Sequence, residues 1–301
     1  MACFRPLLGV MQYDDSGNRR LRFASHRSDK FDADAMHVPC GQCIGCRLDY
    51  SRTWAIRCMH EASLYEDNCF LTLTYSDEFL PYDNSLDKAH FQLFMKRLRK
   101  RFSGCKIRYY QCGEYGECNG RPHYHALLFN FDFPYKEFVA ERSGCRLYES
   151  EILTDLWGLG HCTLGAVTFE SAAYVARYVT KKVTGDAAEE HYLWMDDFGV
   201  IHRRLPEYST MSRRPGIGKP WLDKYGADVY PNDFVVMRGK KCPVPRYYDK
   251  LLCREDEDLW FEVSSSRDYE FDPLDAEIQE DRLRAREICA RARLNQFSRQ
   301  V

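Results

Sequence analysis

Two histidines flank a single residue in Arg121-Pro122-His123-Tyr124-His125-Ala126-Leu127-Leu128-Phe129, a stretch whose apolar run reads as a β-strand. Side chains two apart on a strand share a face, so both imidazoles emerge side by side. Such a pair also serves as a hydrogen-bonded element of a core, and alone it does not separate packing from metal binding. The neighbouring sequence favours metal. Ile107-Arg108-Tyr109-Tyr110-Gln111-Cys112-Gly113-Glu114 reads as a second strand, ended by the Gly-rich turn Tyr115-Gly116-Glu117-Cys118-Asn119-Gly120. Together they form a hairpin, and folding back across its loop brings the Glu114 carboxylate near His123 and His125. One carboxylate and two imidazoles make a mixed nitrogen and oxygen site for Mg²⁺ or Mn²⁺, with positions left open. Glu117, in the turn, is the rival third ligand.

Downstream, Ser171-Ala172-Ala173-Tyr174-Val175-Ala176-Arg177-Tyr178-Val179-Thr180-Lys181-Lys182 reads as a short helix. Tyr174, Tyr178 and Lys182 are spaced four apart and share one face. Tyrosines so placed commonly pack with their hydroxyls at the surface. Beside a metal they gain a second use, because a phenolic oxygen is a covalent nucleophile and a cation that polarises a phosphoryl oxygen gives it a phosphodiester to attack. Lys181 or Lys182 would then neutralise phosphate charge. Thr72 and Thr74, on the strand expected upstream, read as structural.

Cys40, Cys43 and Cys46 follow one another with two-residue gaps, among Pro39, Gly41 and Gly45. Three thiolates at that spacing wrap one soft cation, and Cys3 can supply the fourth ligand of a structural zinc, with Cys58 or His60 as alternatives. An iron–sulfur cluster fits three close thiols less well, and ordinary buried cysteines in a Gly-rich loop are the competing explanation.

The elements that must position these groups can be read coarsely. Expected are a helix over about 46–65, a strand near 69–75, a helix near 87–102, strands near 106–113 and 122–131, helices over parts of 135–157, a strand near 161–169 and then the tyrosine helix. Strands alternating with helices, two of them in a hairpin, suit an α+β antiparallel sandwich. Residues 1–65 read as a Cys-containing N-terminal region, 66–185 as the core, 186–250 as a basic extension, and 251–301 as an acidic stretch with a helix near 274–297.

Composition bounds the rest. No stretch of the 301 residues approaches the ~18 apolar residues of a membrane span, and no signal segment opens the chain. Fourteen cysteines in a chain too large to need staples point to reduced thiols and metal ligands rather than disulfides. Net charge is −2, yet its distribution is uneven, with basic runs at Lys96–Arg101, from Arg203 to Lys219, and from Arg238 to Arg246. Arg213, Arg214, Lys219, Lys240 and Lys241 interleave with Trp221, Tyr225, Tyr230, Tyr247 and Tyr248, the mixture expected of a single-strand nucleic-acid groove.

His123-Tyr124-His125 resembles the histidine-hydrophobic-histidine motif of the HUH endonucleases. Phe70-Leu71-Thr72-Leu73-Thr74-Tyr75 resembles their upstream strand motif, and Tyr174 with Tyr178 and the following lysines their tyrosine motif in its two-tyrosine form. Val38-Pro39-Cys40-Gly41-Gln42-Cys43-Ile44-Gly45-Cys46-Arg47, Gly113-Glu114-Tyr115-Gly116 and Met211-Ser212-Arg213-Arg214-Pro215-Gly216-Ile217-Gly218 resemble the replication initiators of microviruses, gokushoviruses in particular. The resemblance runs over most of residues 1–250. It implies an RRM/ferredoxin-like HUH nuclease domain that nicks a viral origin through a 5′-phosphotyrosine link, leaves a 3′-OH for rolling-circle synthesis, and rejoins the product. It also implies viral single-stranded and replicative-form DNA as partner, a host helicase and DNA polymerase as further partners, and the host bacterial cytoplasm as location. The competing class is a non-catalytic single-strand-binding module, which would leave the two tyrosines in register near two histidines without explanation.

Overall fold

The computed structural model describes residues 3–14, 16–17, 19–23, 35–116, 119–142, 144–178, 182–183, 185–196, 198–269 and 280–297. The chain divides into two compact units, Met1–Tyr50 with Ser266–Val301, and Ser51–Ser265.

Seven antiparallel strands form the frame of the larger unit. In spatial order they are Tyr208–Met211, Arg108–Tyr115, Pro122–Phe129, Asn68–Thr74, Cys162–Gly165, Cys145–Glu149 and Glu137–Arg142. The hairpin expected from sequence lies near the middle, with Glu114 directly opposite His123 and Cys112 opposite His125. On the other side of the histidine strand, Thr72 pairs with His125 and Thr74 with His123.

Both faces of this sheet are covered, where the expected ferredoxin-like sandwich would cover one. On one face Cys69, Leu71, Leu73, Tyr124, Ala126 and Leu128 pack against Phe91, Phe94, Met95 and Leu98 of the helix Lys88–Arg101 and against Leu153, Leu156 and Trp157 of the helix Glu151–Trp157. On the opposite face Tyr110, Cys112, Leu127 and Phe129 meet Ala55, Cys58 and Ala62 of the helix Ile44–Ala62, together with Ala172, Val175 and Ala176 of the helix Phe169–Tyr178. The unbroken run Ala126-Leu127-Leu128-Phe129 is the cause: a strand apolar at every position must be buried on both sides.

The helices expected over 135–157 are corrected in part. Residues 137–149 form the edge hairpin Glu137–Arg142 and Cys145–Glu149, and a helix begins at Glu151. Gly144, at a φ of 75°, supplies the turn, and Phe138 lies across from Tyr148 with ring centroids 6.0 Å apart.

The region 186–250 is more than an appended basic extension. Its strand Tyr208–Met211 completes the main sheet by pairing with the Glu114 strand. The loop after that strand is fixed from beneath: Arg108 is paired with Glu61, its Nη2 donates to the Pro215 carbonyl (3.0 Å), and Glu61 accepts from the Gly218 N–H (2.7 Å). Arg57 donates to the Ile217 carbonyl (3.0 Å) while lying between the rings of Trp54 and Tyr247, 3.9 and 4.0 Å from their centroids. The aromatics expected to stack on bases are largely spent here. Tyr230 and Tyr248 are buried in a third core with Leu222, Val235 and Leu251, and Trp221 stacks on His60 at 3.5 Å. Helices Arg246–Glu255 and Glu257–Tyr269 follow.

In the smaller unit, strands Arg19–Phe23, Leu7–Tyr13 and Ala35–Val38 form an antiparallel sheet in that spatial order. The C-terminal helix spans Glu280–Phe297, where Glu287 accepts from Arg5 and Arg291, each at 2.8 Å. Leu283 of its narrow apolar stripe is buried and Ile288 is exposed; Ile278 lies outside the described residues.

Candidate functional site

Glu114, His123 and His125 converge because strand periodicity and hairpin register both demand it. Gly113 helps: a Cβ there would meet Leu86 Cδ2 at 2.9 Å and Tyr208 Cε1 at 3.0 Å, so glycine lets the strand lie close to its packing on the opposite face. Tyr124, between the histidines, is fully buried there and bonds the Tyr75 hydroxyl at 2.6 Å and the Asp87 carbonyl at 2.8 Å. Its anchorage fixes the rotation of the strand and hence the direction of both imidazoles.

Both histidines turn Nε2 toward Glu114 Oε1, at 2.7 Å for His123 and 2.8 Å for His125. Their rings stand at 90° to one another. The outer nitrogens are engaged too. His123 Nδ1 donates to the Arg121 carbonyl (3.1 Å), and Arg121 is itself held by the Tyr75 carbonyl and the Asp77 carboxylate. His125 Nδ1 meets Thr72 Oγ1 at 3.0 Å, and Phe70 stacks on the same ring with centroids 5.6 Å apart. With Nδ1 of each ring so occupied, Nε2 is the nitrogen presented to a ligand. Burial depresses the His125 pKa, an effect that the Glu114 carboxylate opposes, so the ring stays neutral and able to ligate below the usual histidine range.

Glu114 is 2 % exposed, and its Oε2 is buried without a hydrogen-bond partner among the described residues. An unsatisfied carboxylate oxygen beside two oriented imidazole nitrogens costs free energy unless a cation is there. The three ligand atoms lie within 4.8 Å of one another, and the donor set fits a divalent cation. Glu117 lies outside the described residues.

The helix Phe169–Tyr178 carries Tyr174 to this centre. Thr168 and Ser171 exchange side-chain to backbone bonds at its start, the Thr168 N–H donating to Ser171 Oγ (2.8 Å) and the Ser171 N–H to Thr168 Oγ1 (3.1 Å). Its buried residues Ala172, Val175 and Ala176 let the helix approach the sheet closely. Tyr174 thereby meets the His125 ring edge-on at 5.0 Å, and its hydroxyl donates to Glu114 Oε1 at 3.4 Å. Tyr178 is one turn further along, with its side chain outside the described residues, as is Lys181; Lys182 is exposed.

The second ligand cluster is of the opposite chemical type. Sγ atoms of Cys3, Cys40, Cys43 and Cys46 lie within 4.8 Å of one another. Zinc at about 2.3 Å from four thiolates sets their sulfurs about 3.8 Å apart, and Cys3 and Cys43 stand at 3.8 Å. Backbone N–H groups of Phe4, Cys40 and Cys43 already donate to the sulfurs of Cys43, Cys3 and Cys40 at 3.2 to 3.3 Å. Burial pushes the Cys43 thiol up, but bonds from the Phe4 and Cys46 backbone outweigh it and leave the pKa at about 7; burial drives Cys3 and Cys46 upward. The alternative fourth ligands are engaged elsewhere: Cys58 is buried in the second sheet core, and His60 Nδ1 bonds the Tyr248 hydroxyl at 2.9 Å.

The candidate DNA contacts are dispersed over separate elements. Arg213 and Arg214 are exposed on the pinned loop, whereas Lys219 is neutralised by Asp223 (2.6 Å) and Glu255 (3.2 Å). Lys240 and Lys241 are exposed on the hairpin Phe234–Met237 and Lys240–Pro243, with Lys241 over the Phe234 ring. Phe70 and Arg121 contribute to the site without any chemical signature in the sequence to mark them, and Thr72 touches a ligand ring as well as holding its strand. The signal for Phe70 and Thr72 is the alternation of that strand, which puts even-numbered residues on the histidine face.

Comparison with known proteins agrees with this geometry. Residues 68–183, which contain the histidine hairpin and the tyrosine helix, match the family described as replication-associated protein ORF2. The chain is 36% identical over 275 residues to the replication-associated protein VP4 of Bdellovibrio phage phiMH2K, covering 88% of this chain and 81% of that protein. The chain belongs to the phage replication-associated proteins. Within this family it is also 32% identical over 283 residues to ORF2 of Spiroplasma virus 4 (87% of this chain, 83% of the other). Replication-associated protein ORF4 of Chlamydia phage 1 is 31% identical over 238 residues, 74% of this chain and 57% of that one. No solved structure matches the chain. No helix among the described residues is long and apolar enough to cross a membrane.

Proposed function

We propose that the protein nicks and rejoins a phage replication origin in single-stranded form, acting in the host cytoplasm, with a tyrosine as nucleophile. The observation that carries this is Tyr174, whose hydroxyl is directed at Glu114 Oε1 from 3.4 Å while its ring abuts His125. Glu114, His123 and His125 would hold Mg²⁺ or Mn²⁺, hard or borderline cations suited to oxygen and imidazole donors. Such a cation, when bound, supplies Lewis acidity at the scissile phosphate and offsets charge developing there.

The chain's own residues do the rest. Tyr174 Oη, or that of Tyr178, forms the new bond to phosphorus in line with the departing 3′ oxygen, and the P–O3′ bond breaks. The phenolic proton leaves toward the nearby carboxylate, and the 3′ oxygen takes a proton from water to become the 3′-OH that a host polymerase extends. The phosphotyrosine diester keeps the energy of the bond it replaced, so the second tyrosine can cut the regenerated origin while the released 3′-OH attacks the first link and closes a circle. Lys182 and Lys181 follow the tyrosines in sequence and would neutralise phosphate charge. The cysteine cluster would hold a structural Zn²⁺ apart from this chemistry.

Covalent trapping on an origin oligonucleotide tests the reading. Tyr174→Phe and Tyr178→Phe should each retain some cleavage if the two alternate, and the double variant should form no adduct by mass spectrometry. An adduct in the double variant would move the nucleophile elsewhere.

A further inference from the structure

At the end of the Glu114 strand remote from the carboxylate lies a cavity of about 440 Å³, lined by Arg99, Lys106, Arg108, Arg213 and Arg214 with Ser103, Cys105, Ile107 and Ser212. No carboxylate is among its lining residues. Arg108 is committed to Glu61, and Arg99 donates to the Ile107 carbonyl (3.0 Å) with its guanidinium over the Tyr109 ring. Among the described residues no ion pair is found for Lys106, Arg213 or Arg214, and both arginines are exposed. Four cationic side chains, those of Arg99, Lys106, Arg213 and Arg214, thus border one concavity without an acidic partner there. Mutual repulsion makes such an arrangement unfavourable until an anion enters.

How the two arginines are held is independent of that charge count. The loop 212–218 is tied from below by the buried Arg108–Glu61 pair, by Arg57 on the Ile217 carbonyl, and by Ser212, whose Oγ accepts from the Tyr109 N–H at 3.1 Å. A buried ion pair is a poor source of stability but a good source of fixed geometry. Pre-organised arginines present a planar fork to phosphate at little entropic cost.

We infer that this cavity is a phosphate-binding site for the backbone of the DNA strand, separate from the cleavage centre. The inference rests on the nicking function proposed above. Arg108 and Glu114 are six residues apart on one strand, on the order of 20 Å at about 3.3 Å per residue. A single strand held at both places would span several nucleotides, within the roughly 4 to 16 that single-strand grooves occupy. Phosphate capture rather than base reading is the chemistry, since the lining offers guanidinium and ammonium groups and no aromatic ring.

The test is equilibrium binding of single-stranded oligonucleotides of increasing length to the full chain, in chelator so that no cleavage occurs, across a salt series. Affinity of the wild type should rise as the strand becomes long enough to reach the cavity. In Arg213→Ala/Arg214→Ala that rise should be lost, affinity for the long strand should fall on the order of tenfold, and the salt slope should drop by about 1.4, or about 0.7 per contact. Circular dichroism and thermal unfolding establish that the variant folds; Lys106→Ala, outside the pinned loop, gives a second variant with an expected slope change of about 0.7. An unchanged slope and length dependence in both variants would overturn the site. So would lost affinity for a nucleoside triphosphate with oligonucleotide affinity intact. A wild type that binds in this way yet forms no covalent adduct with metal present would overturn the nicking reading and leave the cavity assignment standing.

Discussion

The two ligand clusters answer the same question, how to gather metal donors, in opposite ways. Cys3, Cys40, Cys43 and Cys46 offer four like ligands, enough to close a tetrahedral shell and leave no place for a substrate. Glu114, His123 and His125 offer three, of two kinds, with a tyrosine at the margin. The cysteines come from short loops bound together by N–H···S bonds, whereas the histidine site stands on adjacent strands of a seven-stranded sheet, where each side chain's position is set by register. A closed shell serves folding, and an incomplete one on a rigid frame serves chemistry.

That contrast is most exposed at the cysteines. Purified, reductant-protected protein should hold about one zinc, and Cys40→Ser/Cys43→Ser should lose it; structural zinc is worth about 10–16 kcal/mol of apparent binding energy in small domains. Elemental analysis and limited proteolysis read the outcome, and a zinc-free variant as protease-resistant as the parent would remove the structural role. Next in size is the histidine pair. His123→Ala/His125→Ala should slow nicking by at least about 10³-fold, roughly 4 kcal/mol, with folding and zinc content retained. Equal loss of fold and of activity in that variant would erase the distinction between the clusters.

His60 sharpens the boundary of the cysteine site. Burial holds its pKa at about 4, below the ordinary 6.5. The unfolded chain therefore binds the extra proton first as pH falls, so the stability that neutral His60 contributes is complete above about 6.5 and drains away toward 4. The loss is about 3 kcal/mol at about 1.36 per unit. Urea unfolding across that window should show it, and His60→Gln should flatten the slope without altering zinc content. The smallest effect is expected at Thr72. Thr72→Val removes the oxygen facing His125 Nδ1 and should weaken Mn²⁺ binding by about 10- to 100-fold, measurable by calorimetry; unchanged affinity would mean that Phe70 stacking alone orients the ring.

The parts of this molecule that sequence makes visible are those governed by local periodicity. His123 and His125 share a face because of a period of two, and Glu114 stands across from them because the intervening turn is short. Strands at Asn68–Thr74 and Pro122–Phe129 and the helix Lys88–Arg101, capped by Asp87, lie close to where patterning puts them. The failures are long-range. Nothing near Tyr208 announces that it will pair with Gly113, and nothing in Trp221 or Tyr248 distinguishes a base-stacking ring from one that packs around a buried His60. The hairpin Glu137–Arg142 and Cys145–Glu149 imitates a helix because its charges are spaced like those of a solvated helix face, and only Gly144 marks the turn.

The edge strand Tyr208–Met211 has a consequence in time as well as space. The family match ends at residue 183, yet the Glu114 strand still lacks its outer neighbour there, and Glu61 has yet to meet Gly218, 157 positions later. A ribosome adding about 5–20 residues per second needs roughly 2 to 7 s to travel from residue 183 to residue 218. Throughout that interval the nascent sheet has a bare edge, open to pairing with another chain. Tyr174 and the Glu114, His123 and His125 ligands are all made before the strand that seals them in, so the centre has its full set of reactive groups while its frame is still unfinished.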